Sequence, residues 1–168
     1  TLHRASGEDQ TTRIGSRNFF MVGVHIAHNC VVGDDNIFAN EVALAGHITI
    51  EDHVFLSNGV GAHQFVRMGR YAMVGGKSKI VQDVLPFFTT DGNPPAVRGL
   101  NTIGLRRGGF TPEARVAAKD EPPGAVGQTL TQAGEIVELE AGNAEHATER
   151  AEHLPARTRV ARRLGTRQ

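Results

Sequence analysis

The stretch Ile14-Gly-Ser-Arg-Asn-Phe-Phe-Met-Val-Gly-Val-His-Ile-Ala-His-Asn-Cys-Val-Val32 decides the fold, because apolar residues return in it at every sixth position. This first track continues without a break to Ile80, and a second track lies four residues after it, from Val24 and Cys30 to Val84. Neither a helix period of 3.6 residues nor a two-residue strand period explains a six-residue repeat. Short strands joined by tight turns in a solenoid do, and three strands per coil would give about 18 residues a coil and about four coils.

Glycine follows the first track by one residue at Gly15, Gly33, Gly69 and Gly75. We expect these glycines to supply the backbone freedom that tight turns need.

Composition excludes several classes of protein. The 18 basic and 18 acidic residues cancel, so bulk charge gives no reason to expect binding to nucleic acid or to a membrane surface. No stretch approaches the roughly 20 apolar residues of a membrane span. The single cysteine, Cys30, lies on the second track and is predicted to be a buried thiol, which fits a cytoplasmic protein.

The chain divides into three predicted parts: a β-helix over 1–86, an irregular connector over 87–110, and a C-terminal segment over 111–168. Thr111-Pro-Glu has the pattern of a helix start, with Thr111 as N-cap. No aromatic residue follows Phe110, so residues 120–168 are predicted to be a partly helical or disordered tail, and a shifted reading frame is one hypothesis for their composition. The opening residues resemble the middle of a coil, and we expect an N-terminal portion to be missing.

Histidines are concentrated in the repeat but avoid both tracks, so they are predicted to lie on coil surfaces or edges. Steps of one coil from His28 lead to the neighbours of His47 and His63, which predicts three imidazoles on one edge at about 4.8 Å per coil. His53 is not aligned with them and is predicted to be structural or solvated. A histidine column suits either a metal site or a general base that deprotonates a hydroxyl nucleophile.

Five motifs extend these observations, and they occur in order along the chain: Val24-His-Ile-Ala-His-Asn-Cys, Leu44-Ala-Gly-His, Ala62-His-Gln-Phe, Met73-Val-Gly-Gly and Gly104-Leu-Arg-Arg-Gly-Gly-Phe. In order and spacing, residues 1–118 resemble the bacterial UDP-N-acetylglucosamine O-acyltransferases, a hexapeptide-repeat family of lipid A biosynthesis.

The resemblance implies a left-handed parallel β-helix that assembles as a homotrimer, with sites in the clefts between subunits. It also implies a cytoplasmic enzyme that transfers a 3-hydroxyacyl chain from acyl carrier protein to the 3-hydroxyl of UDP-N-acetylglucosamine. No cofactor is implied apart from the carrier-protein thioester, and no metal.

The resemblance further assigns roles to individual residues. His28 resembles the general base, and the backbone N–H of Gly46 would face the oxyanion. The implied substrate-binding residues are His25, Asn29, His47, His63, Gln64, Gly76, Asn101 and Arg107. Gly76 stands where the family ends its acyl channel, and Met21 either borders that channel or only packs.

The chain departs from the family pattern at two site positions. Asn29 stands where the family commonly has Asp, which is expected to weaken carboxylate support of the base, and Gly108 stands where another Arg is common.

Three alternatives stay open from the sequence. One is a sibling enzyme that acylates the sugar nitrogen, which the residues around His63 and Arg107 disfavour. Another is a zinc enzyme like the β-helical carbonic anhydrases. The third is an inactive or scaffold-type fragment, because a solenoid needs capped ends.

Overall fold

The computed structural model describes residues 1–119, 128–130 and 136–138. Its first part is a run of two-residue strands that begin every sixth residue, as the repeat predicts. They are β1 Arg13–Ile14, β2 Phe19–Phe20, β3 His25–Ile26, β4 Val31–Val32, β5 Ile37–Phe38, β6 Ala43–Leu44, β7 Thr49–Ile50, β8 Phe55–Leu56, β9 Gly61–Ala62, β10 Arg67–Met68, β11 Met73–Val74 and β12 Lys79–Ile80.

Every third strand joins the same parallel sheet, so the chain winds around three sheets. The sheet orders are β1-β4-β7-β10, β2-β5-β8-β11 and β3-β6-β9-β12. Each residue pairs with the residue one coil later, as Ile14 does with Val32 and Phe20 with Phe38. The fold is the predicted left-handed parallel β-helix of about four turns.

The two apolar tracks form the core. From Ile26 to Ile80 every first-track side chain is buried, and Ile14 and Phe20 pack against them half-buried. The second-track residues from Val24 to Val84 that the sequence identified as apolar are also buried. Burial raises the pKa of the Cys30 thiol, because a thiolate would lose its solvation there.

The turns do not use glycine as expected. From Ile14 to Val74, the third residue after each first-track position has a positive φ, and most of these residues carry side chains: Arg17, Asn29, Asp35, Glu41, His47, His53, Phe65, Tyr71 and Lys77, beside Gly23 and Gly59. The expectation for Gly15, Gly33, Gly69 and Gly75 is therefore wrong. These glycines are needed because the next coil comes too close for a side chain: a Cβ on Gly33 would lie 2.2 Å from Asp52 Oδ1.

The segment after β12 is more regular than the irregular connector that the sequence predicts. Strand β13 (Phe88–Asp91) continues one sheet parallel to β11, and β14 (Ala96–Leu100) returns antiparallel to β13. Two short helices follow, α1 (Thr102–Arg107) and α2 (Pro112–Ala117). Thr111 is the N-cap of α2, as predicted, since its hydroxyl accepts the Ala114 N–H at 3.2 Å.

A second, smaller apolar cluster holds the helices together. It contains Phe87, Leu105, Phe110, Ala114 and Ala118. Tyr71, a turn residue of the solenoid, packs edge-on against Phe110 with ring centroids 4.9 Å apart. The helices are thereby fixed beside the last coils of the solenoid.

In the C-terminal segment, strands β15 (Gln128–Leu130) and β16 (Ile136–Glu138) pair antiparallel. At these residues the structure has strands where the sequence suggested helix or disorder. The rest of the predicted tail lies outside the described residues.

Neither α1 nor α2, the helices of the described chain, has the length and hydropathy needed to cross a membrane.

Candidate active site

The candidate site is formed by the equivalent turns of three successive coils, which follow β3, β6 and β9. Residues 27–29, 45–47 and 63–65 lie one above another, one coil apart. Backbone hydrogen bonds fix this stacking: the His47 N–H donates to the His28 carbonyl at 3.0 Å, and the Phe65 N–H donates to the Gly46 carbonyl at 3.3 Å. The histidine-bearing edge is therefore a rigid part of the solenoid.

The His28 imidazole lies directly on Gly46. A Cβ atom on Gly46 would be 2.6 Å from Cε1 and 2.8 Å from Nε2 of the ring, closer than any side chain tolerates. Gly46 is thus glycine because the imidazole occupies the space of its side chain. The two residues that the resemblance identifies as catalytic are direct neighbours.

Gly46 has a second unusual property, which concerns its backbone N–H. Gly46 is buried, and within the described chain its N–H donates to no other group. Buried backbone N–H groups are nearly always paired, so an unpaired one beside an imidazole is available to a bound ligand.

Asn29 orients the imidazole from its other side. The Asn29 Oδ1 lies 2.7 Å from His28 Nδ1. The amide cannot be reversed, because Oδ1 accepts the Ser6 N–H at 3.0 Å and Nδ2 donates to the Ser6 carbonyl at 3.2 Å. An acceptor facing Nδ1 requires the proton on Nδ1, which leaves the lone pair on Nε2. The amide oxygen therefore takes over the orienting part of the carboxylate's role, although not its charge.

Three supporting residues come from the first twelve residues, to which the sequence assigned no part in the site. Besides Ser6, Thr12 accepts the Asn29 N–H on Oγ1 at 2.9 Å, and Gln10 accepts from Asn29 Nδ2 at 3.2 Å. The sequence carried no signal for these contacts. The polar residues that make them lie 17 to 23 positions before Asn29 and are not part of the six-residue repeat.

The predicted column of three histidines consists in the structure of the His28 and His47 imidazoles and the Phe65 phenyl ring. The His47 ring meets the His28 ring edge-on with centroids 5.2 Å apart, and it stacks on Phe65 with centroids 4.9 Å apart. His63 lies at the same edge but is exposed, with Nδ1 3.3 Å from the Gln64 carbonyl. Across the described ranges, no three His, Cys, Asp or Glu side chains are grouped as metal ligands would be.

Of the remaining predicted residues of the solenoid, His25 and Gln64 lie near this edge, whereas Met21 and Gly76 lie on the turns that follow the β2-β5-β8-β11 sheet, at another corner of the solenoid. The His25 ring, on β3, packs edge-on against His3 with centroids 4.9 Å apart. Gln64 is exposed beside His63, and Gly76 is exposed after β11 with only ordinary contacts at its Cβ position. Met21 is 36% exposed.

The two predicted residues of the connector differ in whether their side chains already have partners within the described chain. Asn101 is the N-cap of α1: its Oδ1 accepts the Gly104 N–H at 3.0 Å, and its Nδ2 donates to the Tyr71 carbonyl at 2.8 Å. Both ends of its amide are therefore occupied. Arg107 is exposed in the last turn of α1, and among the described residues it forms no ion pair.

His53, set apart by the sequence, lies on another corner of the solenoid. Its ring stacks on Tyr71 at 4.5 Å, and its Nε2 lies 3.9 Å from Asp35 Oδ2. It has no contact with His28, His47 or His63.

Comparison with known proteins points to one family. A family model described as UDP-N-acetylglucosamine O-acyltransferase, domain 2, matches residues 83–159. This match runs through the connector into the predicted tail.

Curated relatives agree with the family model. The chain is 53% identical over 117 residues to the acyl-[acyl-carrier-protein]–UDP-N-acetylglucosamine O-acyltransferase of Gloeothece citriformis, covering 70% of this chain and 42% of the relative. It is 44% identical over 141 residues to the enzyme of the same name from Anaeromyxobacter dehalogenans, covering 84% and 55%. The chain thus spans about half the length of the curated relatives it matches.

Solved structures agree on the fold. LpxA from Acinetobacter baumannii superimposes with a TM-score of 0.68 and 44% identity, over 71% of this chain and 46% of that one. The UDP-N-acetylglucosamine acyltransferase of Arabidopsis gives 0.67 and 42%, over 70% and 42%. With its motifs, its β-helix and these relatives in agreement, the chain belongs to the UDP-N-acetylglucosamine O-acyltransferase family.

Proposed function

We propose that this chain carries the catalytic edge of an acyltransferase. The reaction moves a 3-hydroxyacyl chain from the thioester of acyl carrier protein to the 3-hydroxyl of UDP-N-acetylglucosamine, the first step of lipid A synthesis, in the cytoplasm. The observation that carries the proposal is the pairing of His28 with Gly46: an imidazole with a free Nε2 lies on a buried glycine whose N–H has no partner in the described chain.

Each group has a defined part in the reaction. His28 Nε2 takes the proton of the sugar 3-hydroxyl as the oxygen attacks the thioester carbon, an effect worth roughly 10²- to 10⁴-fold in rate. The Gly46 N–H donates to the oxyanion that forms on the carbonyl oxygen. When the carbon–sulfur bond breaks, the imidazolium returns the proton to the thiolate of the carrier.

The proton on Nδ1 matters for the first step. Because Asn29 accepts from Nδ1, the lone pair of the neutral ring lies on Nε2, the nitrogen beside Gly46. Base and oxyanion donor therefore act on the same small volume, as acyl transfer requires.

Substrate contacts are proposed for the other site residues that the resemblance implies. His25, His47, His63 and Gln64 would contact the sugar, phosphate or acyl group. Arg107 would hold a phosphate through its planar guanidinium, and Gly76 would leave room for the end of the acyl chain. Asn101 would contact the nucleotide sugar or the carrier side as well, and as the cap of α1 it also positions Arg107. No cofactor is needed.

Assembly as a homotrimer is part of the proposal. The outward residues of the β2-β5-β8-β11 sheet, Phe19, Ile37, Phe55 and Met73, form one continuous apolar ribbon by their strand pairing. Phe19 is 57% exposed and Ile37 is 37% exposed. An apolar ribbon on a solenoid surface suits packing against another copy. Sites in the clefts between the subunits are what the family resemblance implies.

The proposed function is tested by His28→Ala in the full chain. We expect acylation of UDP-N-acetylglucosamine by 3-hydroxyacyl carrier protein to fall at least about 10²-fold in kcat/KM, because no other group replaces the base. His53→Ala is the matched control, since that ring lies on another corner, and it should retain activity close to that of the parent chain.

Circular dichroism and sedimentation of both variants would check that the fold and assembly are unchanged. Near-parental activity of His28→Ala would exclude His28 as the base. A trimeric parent chain without any transfer would instead favour an inactive scaffold.

A further inference from the structure

We propose that Ser6 and Asn29 form a clamp that holds His28 in the Nδ1–H tautomer, which makes Ser6 a positioning residue for the reaction. The inference rests on the proposed role of His28 as base. It concerns a residue of the N-terminal segment that no sequence motif identified.

Ser6 contacts the Asn29 side chain through three of its atoms. Its N–H and its hydroxyl both donate to Asn29 Oδ1 at 3.0 Å, and its carbonyl accepts from Asn29 Nδ2 at 3.2 Å. The Asn29 backbone is held separately, since φ is 60° and the N–H donates to Thr12. The amide is therefore fixed in position and in polarity.

The Ser6 hydroxyl also reaches the imidazole. Its Oγ lies 3.1 Å from His28 Nδ1, while Asn29 Oδ1 lies 2.7 Å from the same nitrogen. With the proton on Nδ1, all three groups satisfy one another: the hydroxyl donates to Oδ1, and the Nδ1–H is shared between Oδ1 and Oγ.

The opposite tautomer fits this surrounding poorly. A lone pair on Nδ1 would face the lone pairs of Asn29 Oδ1 at 2.7 Å. The Ser6 hydroxyl alone could donate to it, and doing so would remove a hydrogen bond from Oδ1. The ring also meets Gly46, whose Cβ position lies 3.1 Å from Nδ1, and the His47 ring, but among the described residues only Ser6 and Asn29 form hydrogen bonds with Nδ1. The clamp is therefore the feature that decides the tautomer.

The clamp is tested by 15N NMR of the full chain labelled at histidine nitrogen, which distinguishes protonated from unprotonated ring nitrogens. The His28 signals are assigned by their loss in His28→Ala. We expect parental His28 to show its proton on Nδ1. Asn29→Gly removes the acceptor and keeps a residue that accepts the positive φ, so His28 should shift toward the Nε2–H form.

Ser6→Ala should give a partial shift of the same kind, with kcat lowered about 3- to 10-fold, the range expected for one hydrogen bond, and KM little changed. Ser6→Thr keeps the hydroxyl and should restore both readings. Ser16→Ala is the matched control: Ser16 is exposed, and among the described residues its hydroxyl makes no hydrogen bond.

A parental His28 protonated on Nε2 would overturn the clamp, and so would an unchanged tautomer in both Asn29→Gly and Ser6→Ala. If the tautomer shifts as expected in a chain that transfers no acyl group, the clamp stands and the proposed function fails. The NMR reading needs no activity, so the two failures are distinguishable.

Discussion

Tyr71 is the residue at which the solenoid meets the helices. Its ring stacks on His53, packs edge-on against Phe110, and lies where a Cβ of Gly108 would be, 2.6 Å from Tyr71 Cε1. This contact explains one departure from the family pattern: an arginine at position 108 could not coexist with a tyrosine at position 71 in this arrangement. The two residues form a matched pair.

The same packing predicts how Tyr71 titrates. Burial raises the pKa of the Tyr71 hydroxyl, and the carboxylates of Asp35 and Asp52 raise it further. The folded chain thus keeps this proton at a pH where the unfolded chain has lost it. Folding stability that depends on Tyr71 should decline as pH rises above about 10, the pKa of an unperturbed tyrosine.

Phenolate absorbance measures this directly, because Tyr71 is the only tyrosine and the chain has no tryptophan. We expect the midpoint in the native chain to lie above that of the chain in denaturant. The Gly108→Ala variant tests the cause of the shift. Its methyl group should displace the Tyr71 ring toward solvent and bring the native and denatured midpoints closer together. Equal midpoints in the parent chain would contradict the buried environment.

At the scale of one turn, the repeated contact is between a glycine and the aspartate of the next coil. Asp34 Oδ1 occupies the Cβ position of Gly15, and Asp52 Oδ1 occupies that of Gly33. Each carboxylate accepts a backbone N–H of the coil below: Asp34 from Ser16 and Asp52 from Asp34, both at 2.7 Å. Glycine here allows neighbouring coils to be tied together by a side chain.

This contact predicts opposite results for two glycines. Gly33→Ala should lower the free energy of unfolding by about 1–3 kcal/mol, because the methyl group would meet the Asp52 carboxylate and the Glu51 backbone. Gly61→Ala, in strand β9, meets nothing within 4 Å and should be neutral or stabilising by up to about 1 kcal/mol.

Urea unfolding at one fixed protein concentration compares the two variants, since assembly would make the midpoint depend on concentration. Equal effects of Gly33→Ala and Gly61→Ala would show that backbone freedom, and not close approach, explains the glycines.

For the whole molecule, the faces of the solenoid differ in chemistry. One sheet bears the ribbon of Phe19, Ile37, Phe55 and Met73, whereas the β1-β4-β7-β10 sheet presents Arg13, Val31, Thr49 and Arg67 outward. Arg67 and Glu51 form an ion pair on that second sheet. The mixed face suits water, and the apolar ribbon suits another subunit.

Ile37→Lys should therefore convert the proposed trimer to monomers. An unpaired charge in an apolar interface costs about 3–5 kcal/mol, enough to raise the dissociation constant more than about 100-fold. Thr49→Lys adds the same charge at the equivalent strand position of the mixed face and should remain trimeric. Sedimentation velocity measures the oligomeric state of both variants. A trimeric Ile37→Lys chain would show that the interface lies elsewhere.

The solenoid was predictable from the sequence because its core repeats. Spacing alone predicts the burial of Ile26, Leu44 and Val74, because every coil has the same inward-facing positions. The reason for the glycines was not predictable in this way, because the carboxylate above Gly33 belongs to a residue 19 positions away and is visible only once the coils are stacked.

The site was predictable only in part for a similar reason. His28, Gly46 and His47 lie on stacked turns, so the repeat and the family motifs both lead to them. Ser6 contacts Asn29 from an aperiodic loop, and neither pattern nor spacing predicts such a contact. The resemblance implies Asn101 as a substrate-binding residue, which stays a prediction, but its capping of α1 and its bond to the Tyr71 carbonyl were not predictable from the sequence.

The pairing of each residue with the one a full coil later has a consequence for insertions and deletions. Adding six residues would preserve every local feature of the repeat, yet all later side chains would move to the next face, and the turn of His47 would no longer stack on that of His28. Adding a whole coil would keep every face and only lengthen the prism. Length variation in such a chain is therefore tolerated in whole coils, although the sequence pattern repeats three times as often.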